Sequence, residues 1–214
     1  MSKLFCCLVL FVLFFCFASL AYASTDANVD PNGDATVTDA WTITLGTTHY
    51  EAINDGVRQP ATTGFDGGAL YLEYAADRDG NVALSMTTLT DVQQVTAIKV
   101  WIYTSNSGGS GTYIDISKDG TTWVGAQFVS YTSGAWVSKT FSGLTWTQTN
   151  LDNLQVRLVG SASGASDYET SINAMYATIT YEEVVIPEYS LMVFVVVLVA
   201  SIGIALLVAR RVIK

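Results

Sequence analysis

The hydrophobic and polar positions of the chain fall into stretches of different rhythm. Residues 4–20 and 191–209 are apolar runs without a charge, and much of what lies between them alternates with period two over short distances. The clearest alternation is Val95 to Tyr103, VTAIKVWIY. It puts Ile98, Val100 and Ile102 on one face of a strand and Lys99, Trp101 and Tyr103 on the other. Further runs rich in β-branched and aromatic residues are Thr36 to Leu45, Leu70 to Ala75, Val82 to Leu89, Thr112 to Ser117, Thr121 to Phe128, Trp136 to Phe141, Leu154 to Val159 and Ile172 to Glu183. Turn-forming clusters separate them, such as Asp77-Arg78-Asp79-Gly80-Asn81 and Ser107-Gly108-Gly109-Ser110-Gly111. No segment between the apolar runs keeps a helical period. The pattern predicts about nine or ten short strands with no helical crossover, hence an all-β fold, an antiparallel β-sandwich of jelly-roll type over 35–183. No repeat recurs at a fixed period, which excludes a propeller or solenoid.

Between Ser117 and Trp123 the chain reads Lys118-Asp119-Gly120-Thr121-Thr122, and Asp119-Gly120 suits a two-residue type I′ turn. That turn sets Ile116 opposite Trp123, with both directed into the core. Residues 24–34 read as an N-terminal linker, and 184–190 as a juxtamembrane one.

The apolar ends add a location. Lys3, the run 4–20 and the small residues Ala21 and Ala23 predict a signal peptide over 1–23, removed by signal peptidase after Ala23. The alternative is a retained N-terminal membrane helix, which those small residues disfavour. Cys6, Cys7 and Cys16, all the cysteines of the chain, lie in this segment, so the mature protein has no thiol for a disulfide, a zinc site or a nucleophile. Leu191 to Ala209, 19 uncharged residues, make a helix of about 28 Å against a hydrocarbon core of about 30 Å. Arg210, Arg211 and Lys214 follow as a basic tail over 210–214, which the positive-inside rule keeps cytoplasmic. The membrane is thus the first expected partner, crossed once, with the sandwich outside the cell or at its surface.

Ile186-Pro187-Glu188-Tyr189, the apolar run and the terminal Arg210-Arg211 cluster together resemble PEP-CTERM and PEF-CTERM sorting signals. The resemblance covers about the last thirty residues. It implies a membrane-embedded exosortase or archaeosortase as partner, a cysteine transpeptidase that cuts near Pro187, Glu188 and Tyr189 and transfers the protein to a surface anchor. Tyr189 departs from the Pro or Phe of those families, and a plain stop-transfer anchor fits the same residues. The string Ser117 to Trp123, S-x-D-G-x-x-W, resembles a hairpin of discoidin-like and other carbohydrate-binding β-sandwiches, and more loosely the sialidase Asp-box. It occurs once, which does not support a sialidase propeller. The order of strands and turns as a whole looks like jelly-roll modules on prokaryotic and phage surface proteins, which implies fold and address but no activity.

Chemistry is thin. His49 is the single histidine, and no nucleophile-elbow, zinc-helix or phosphate-loop string is present. Glycoside hydrolysis needs two carboxylates, yet no Glu stands in an acid or base motif, so a small glycan hydrolase is the weakest alternative and the chain reads as a non-enzyme. Calcium has two candidate loops, Asp30, Asn32 and Asp34 in DPNGD, and Asp77, Asp79 and Asn81 in DRDGN, both also ordinary Asx turns. No other cofactor is implied. Trp101 and Tyr103 form a candidate patch for a surface glycan or another surface protein, provided that no loop covers their face. From Ser24 to Glu188 there are nineteen acidic and six basic residues, a net charge of −13, which excludes nucleic acid as a partner. The function these readings favour is a non-enzymatic cell-surface or envelope protein, structural or adhesive, with a carbohydrate-binding module as the alternative.

Overall fold

A computed structural model describes residues 21–37, 41–43, 46–54, 56–61, 63–65, 70–72, 81–107, 111–130, 132–160 and 170–185. The described strands are β1 (Ala21–Val29), β2 (Pro31–Val37), β3 (Trp41–Ile43), β4 (Leu70–Leu72), β5 (Asn81–Met86), β6 (Gln94–Ser107), β7 (Gly111–Ser117), β8 (Trp123–Ser130), β9 (Ala135–Trp146), β10 (Gln155–Gly160) and β11 (Thr170–Val185). One short helix, α1 (Gln148–Asp152), joins β9 to β10. The strands form two sheets. One has the order β3-β4-β11-β6-β9, with β1 also paired to β11, and the other the order β2-β5-β10-β7-β8. The pairings of known register are antiparallel. The fold is therefore all-β with two antiparallel sheets, as the alternation predicts.

The alternating pattern explains which side of each strand is buried. Ile98, Val100 and Ile102 of β6, Ile114 and Ile116 of β7, Val156 and Leu158 of β10, and Ile179 of β11 are all fully buried and belong to one core cluster between the sheets. Burying one such side chain stabilises the fold by about 1.5–3 kcal/mol. The long β6–β11 ladder runs from Ser107 opposite Thr170 to Gln94 opposite Glu182, interrupted by three register shifts. Contacts divide the chain into Ser24–Glu182 and a second unit, Met1–Ala23 with Glu183–Lys214, of which only 21–23 and 183–185 are described.

Several expectations change. Residues 24–34, read as a linker, are strand in β1 and β2, because Asp30 and Thr87 exchange hydrogen bonds and β2 pairs with β5. The run Thr36 to Leu45 is divided, β2 lying in one sheet and β3 in the other. The hairpin after β7 is one residue longer than its Asp-Gly pair suggests, and Ser117, not Ile116, faces Trp123. The cause is the Asp119 carboxylate. One oxygen accepts from the Thr121 amide at 2.8 Å, the Thr122 amide at 2.6 Å and the Thr121 hydroxyl at 3.0 Å, and so winds a wider loop. Those donors hold the Asp119 carboxyl well below the usual carboxylate range. Gly120, at φ +73°, has the left-handed backbone the loop requires. Helix α1 has no predicted counterpart. Its start is fixed by Asn150 Oδ1, which accepts from the Thr147 amide and hydroxyl, and Leu151 anchors it in the core.

Residues 1–20 of the predicted signal peptide over 1–23, the span 191–209 and the tail 210–214 lie outside the described residues. No helix among the described residues is long and apolar enough to cross a membrane.

Candidate functional site

The outer face of each sheet carries aromatic side chains, and the two faces differ in what covers them. On the six-stranded sheet, Trp101 of β6 stands opposite Tyr176 of β11 and Ser138 of β9, and Tyr103 opposite Trp136 of β9 and Ala174 of β11. Trp101 and Tyr176 are stacked with centroids 6.0 Å apart, Trp136 meets Tyr176 and Tyr103 edge-on at 5.3 and 5.5 Å, and the Lys99 ammonium sits 3.8 Å from the Trp101 centroid. Residues of 56–61 and 63–65 close over this floor. Phe65 stacks on Tyr103 at 4.4 Å, the Trp136 indole N–H donates to the Ala61 carbonyl at 2.7 Å, and the Arg58 guanidinium lies 5.3 Å from the Tyr176 centroid. Arg58 is held in turn by Asp30 at 2.5 Å. Tyr103 is left 7% exposed and Tyr176 5%. Burial raises the Tyr176 phenol above its ordinary value, opposed by the Gln59 amide and the Arg58 charge. The predicted Trp101–Tyr103 patch is therefore mostly a satisfied secondary core. Of the predicted pair, Trp101 keeps intermediate exposure, as does its neighbour Trp136, and the Trp101 indole N–H donates to Thr178 Oγ1 at 3.3 Å.

The five-stranded sheet is different. Its outward positions, fixed by the burial of Ile114, Ile116, Val156 and Leu158 on the other side, include Tyr113, Asp115 and Ser117 of β7, Trp123 and Phe128 of β8, and Gln155 and Arg157 of β10. Asp115 and Arg157 are directly opposed across β7 and β10. Arg157 donates to Asp115 Oδ2 through Nε at 3.0 Å and through Nη2 at a shorter distance, and its guanidinium lies 4.1 Å from the Trp123 centroid. Asp115 is 2% exposed, and its other oxygen, Oδ1, is buried without a donor. Phe128, edge-on to Tyr113 at 5.3 Å, is 39% exposed, the more exposed of the two large apolar side chains that reach solvent among the described residues.

The first calcium candidate, Asp30, Asn32 and Asp34, does not converge. The Asp30 carboxylate is taken by Arg58, and that of Asp34 accepts from the His49 amide and ring at 2.9 Å each and from the Tyr50 amide at 2.8 Å, while Asn32 is exposed. Burial opposes ionisation of Asp34, but the His49 and Tyr50 donors outweigh it and lower its pKa. Among the described residues no three His, Cys, Asp or Glu side chains gather as metal ligands. Asn81 is on β5, while Asp77 and Asp79 lie outside the described residues, as do the processing candidates Pro187, Glu188, Tyr189, Arg210 and Arg211. Ala23 falls within β1. Other described carboxylates close local structure. Glu51 accepts from the amide and hydroxyl of Thr47 and the amide of Thr48, and Asp152 from Thr88 and Gln148. Sequence reasoning missed Arg58, Phe65, Trp136 and Tyr176 on one face and Asp115, Arg157 and Phe128 on the other. Of these, Asp115, Phe128, Trp136, Arg157 and Tyr176 carried a usable signal, lying in predicted strands, whereas Arg58 and Phe65 did not.

No family model matches the chain, and no curated protein does. Solved structures share a weak likeness. The K1 cleaved adhesin domain of Lys-gingipain from Porphyromonas gingivalis is 12% identical, with 72% of this chain and 97% of that one covered at a TM-score of 0.35. A family 29 carbohydrate-binding module from Piromyces equi is 12% identical over 73% of this chain and 91% of its own, TM-score 0.32. A family 15 xylan-binding module is 10% identical over 77% and 100%, TM-score 0.32. Likenesses of this weakness carry no functional information.

Proposed function

We propose that the chain is a non-enzymatic surface protein, adhesive or structural, whose β-sandwich acts by binding and is held at the outer face of a membrane by its C-terminal segment. The observation that supports this most is how the chain leaves the fold. Strand β11, which lies between β4 and β6, runs to Val185, so only residues 186–190 separate a packed sheet from the uncharged run 191–209. A tether of that length joins the sandwich directly to an apolar run long enough to span a bilayer, and a net charge of −13 from Ser24 to Glu188 suits a soluble domain that anionic headgroups repel. The strand order also supports the jelly-roll reading: β4-β11-β6-β9 packs over β5-β10-β7-β8, so that within these two sets every pair of neighbours except β7 and β8 is non-consecutive in sequence. Binding fits better than catalysis, since Asp30, Asp34, Glu51, Asp115, Asp119 and Asp152 each have structural donors.

The Pro187-Glu188-Tyr189 segment followed by the apolar run and Arg210-Arg211 supports processing by an exosortase or archaeosortase. Intact mass of the protein from its native membranes tests this. A mass for Ser24 to Lys214 means a retained single-pass anchor, whereas a chain ending near Pro187 to Tyr189 with added mass means transfer to a surface anchor. A soluble chain with neither feature refutes surface attachment. The second reading, a carbohydrate-binding module, is favoured by Phe128, 39% exposed on the outer face of the five-stranded sheet, rather than by the strapped Trp101–Tyr103 patch.

A further inference from the structure

We infer that the outer face of the five-stranded sheet is a contact face for an uncharged, hydroxyl-rich chain, a neutral glycan, lying along β8 from Trp123 to Phe128 and passing over Arg157. The inference rests on the binding reading above and names its surface and ligand class.

Three observations converge. The first is spacing. Trp123 is registered on Ser117 and Phe128 on Tyr113, four residues apart along β7, about 13 Å at the rise of a β-strand. Two aromatic groups so placed on one outward face suit an extended ligand of several rings rather than a single small molecule. The second is the fixed cation between them. Arg157 spends Nε and Nη2 on one oxygen of Asp115 and rests on Trp123, so its remaining N–H groups are oriented in advance to donate to a hydroxyl or ether oxygen. Beneath it Asp115, 2% exposed, anchors the guanidinium in that orientation.

The third observation is charge, and it selects among ligands. Asp115 neutralises Arg157 locally, and the domain around the pair, Ser24–Glu182, has net charge −11. A polyanion meets repulsion that no cation cluster among the described residues of this face offsets, while a neutral polyhydroxyl chain does not. A protein partner is the less suitable occupant. The backbone of β8 is kinked by the register shift opposite Ile114–Ile116, and Gln127 Nε2 turns to the Thr140 carbonyl of β9 at 3.4 Å, which disfavours straight strand addition at this edge.

The test uses the full chain in detergent micelles, run in native gels containing soluble β-linked glucan, xylan or mannan, with polygalacturonate alongside. The expected result is retardation by at least one neutral polymer and none by the polyuronate. Phe128→Ala is expected to weaken retention by about tenfold or more, and Trp123→Phe, which keeps a ring but narrows it, by a smaller factor. Unchanged circular dichroism and melting in Phe128→Ala, a half-exposed site, separate lost binding from lost folding. Retention that survives both substitutions but is lost in Trp101→Ala overturns the face and leaves the binding reading standing. Retention only by polygalacturonate overturns the ligand class. No retention by any polymer overturns the inference, while the surface reading is decided separately by the mass of the native protein.

Discussion

The Asp115–Arg157 pair makes a prediction whose size follows from its geometry. Asp115 is 2% exposed and depends on Arg157 for its observed side-chain hydrogen bonds, both to Oδ2, while Oδ1 has none. Replacing Arg157 by Met keeps an unbranched stem against Trp123 but leaves a buried carboxylate with no donor. Breaking a buried pair from one side costs about 3–5 kcal/mol. The Arg157 side chain is 26% exposed, so the lower end applies, about 3 kcal/mol. Asp115→Val leaves instead an Arg that can swing into water, and costs about 1 kcal/mol. The double variant Asp115→Val with Arg157→Met removes both charges and is expected within about 1 kcal/mol of the parent, well below the sum of the singles. Urea unfolding of the segment Ser24–Glu182, which contains both sheets, reads this directly. With a denaturant slope of about 2 kcal/mol per molar, Arg157→Met moves the midpoint down by about 1.5 M and the double variant by about 0.5 M or less. A single-variant loss below about 1 kcal/mol would refute the reasoning, as it would mean that water already reaches Asp115. Additive losses would refute it too.

Two further expectations follow from local geometry. Gly111→Ala drives its Cβ into the Val129 carbonyl oxygen and the Phe128 ring, where backbone cannot yield, and is expected to cost more than about 2 kcal/mol in the same unfolding assay. A near-neutral result would mean that the start of β7 relaxes away from β8. Asp34, whose pKa is lowered in the fold, stabilises the 47–53 turn fully above the unfolded carboxylate value of about 3.9, and loses that contribution as pH falls through the lower folded value. Melting temperatures of the parent and Asp34→Asn should therefore differ at pH 7 and converge below about pH 3; curves that stay parallel throughout would show that the carboxylate does not hold the turn.

The sheets were legible because burial imposes period two. Val95 to Tyr103 discloses its inward row, Ile98, Val100 and Ile102, and the structure buries all three. Register was not legible at Asp119-Gly120. There a side chain accepting backbone amides changes the loop length by one residue, and one residue turns Trp123 from the core side to the outward side. A turn dipeptide specifies backbone conformation but not what its carboxylate will recruit. The faces were legible only in part. Trp101 and Tyr103 are visible as an outward pair, but their cover comes from Arg58, Ala61 and Phe65, far away in sequence and without a pattern of their own. Asp115 and Arg157 lie 42 positions apart and meet only because β7 and β10 are neighbours. Residues 24–34 read as linker because Asp, Asn, Pro and Gly dominate them, and pairing with β5 overrides that composition.

Strand β11 has a mechanical consequence. It receives the chain from β10, holds β6 along one side from Gln94 to Ser107, and continues into the segment that leads toward the proposed anchor. Traction from that end enters the sandwich along the axis of an interior strand. Its cross-strand hydrogen bonds lie perpendicular to the pull and share it in shear, instead of opening one after another as at a peeled edge. A glycan held on the opposite sheet would draw against this strand through the packed side chains of Ile102, Ile114 and Leu158, so the resistance of an attached domain to drag would be set by its core as much as by its grip.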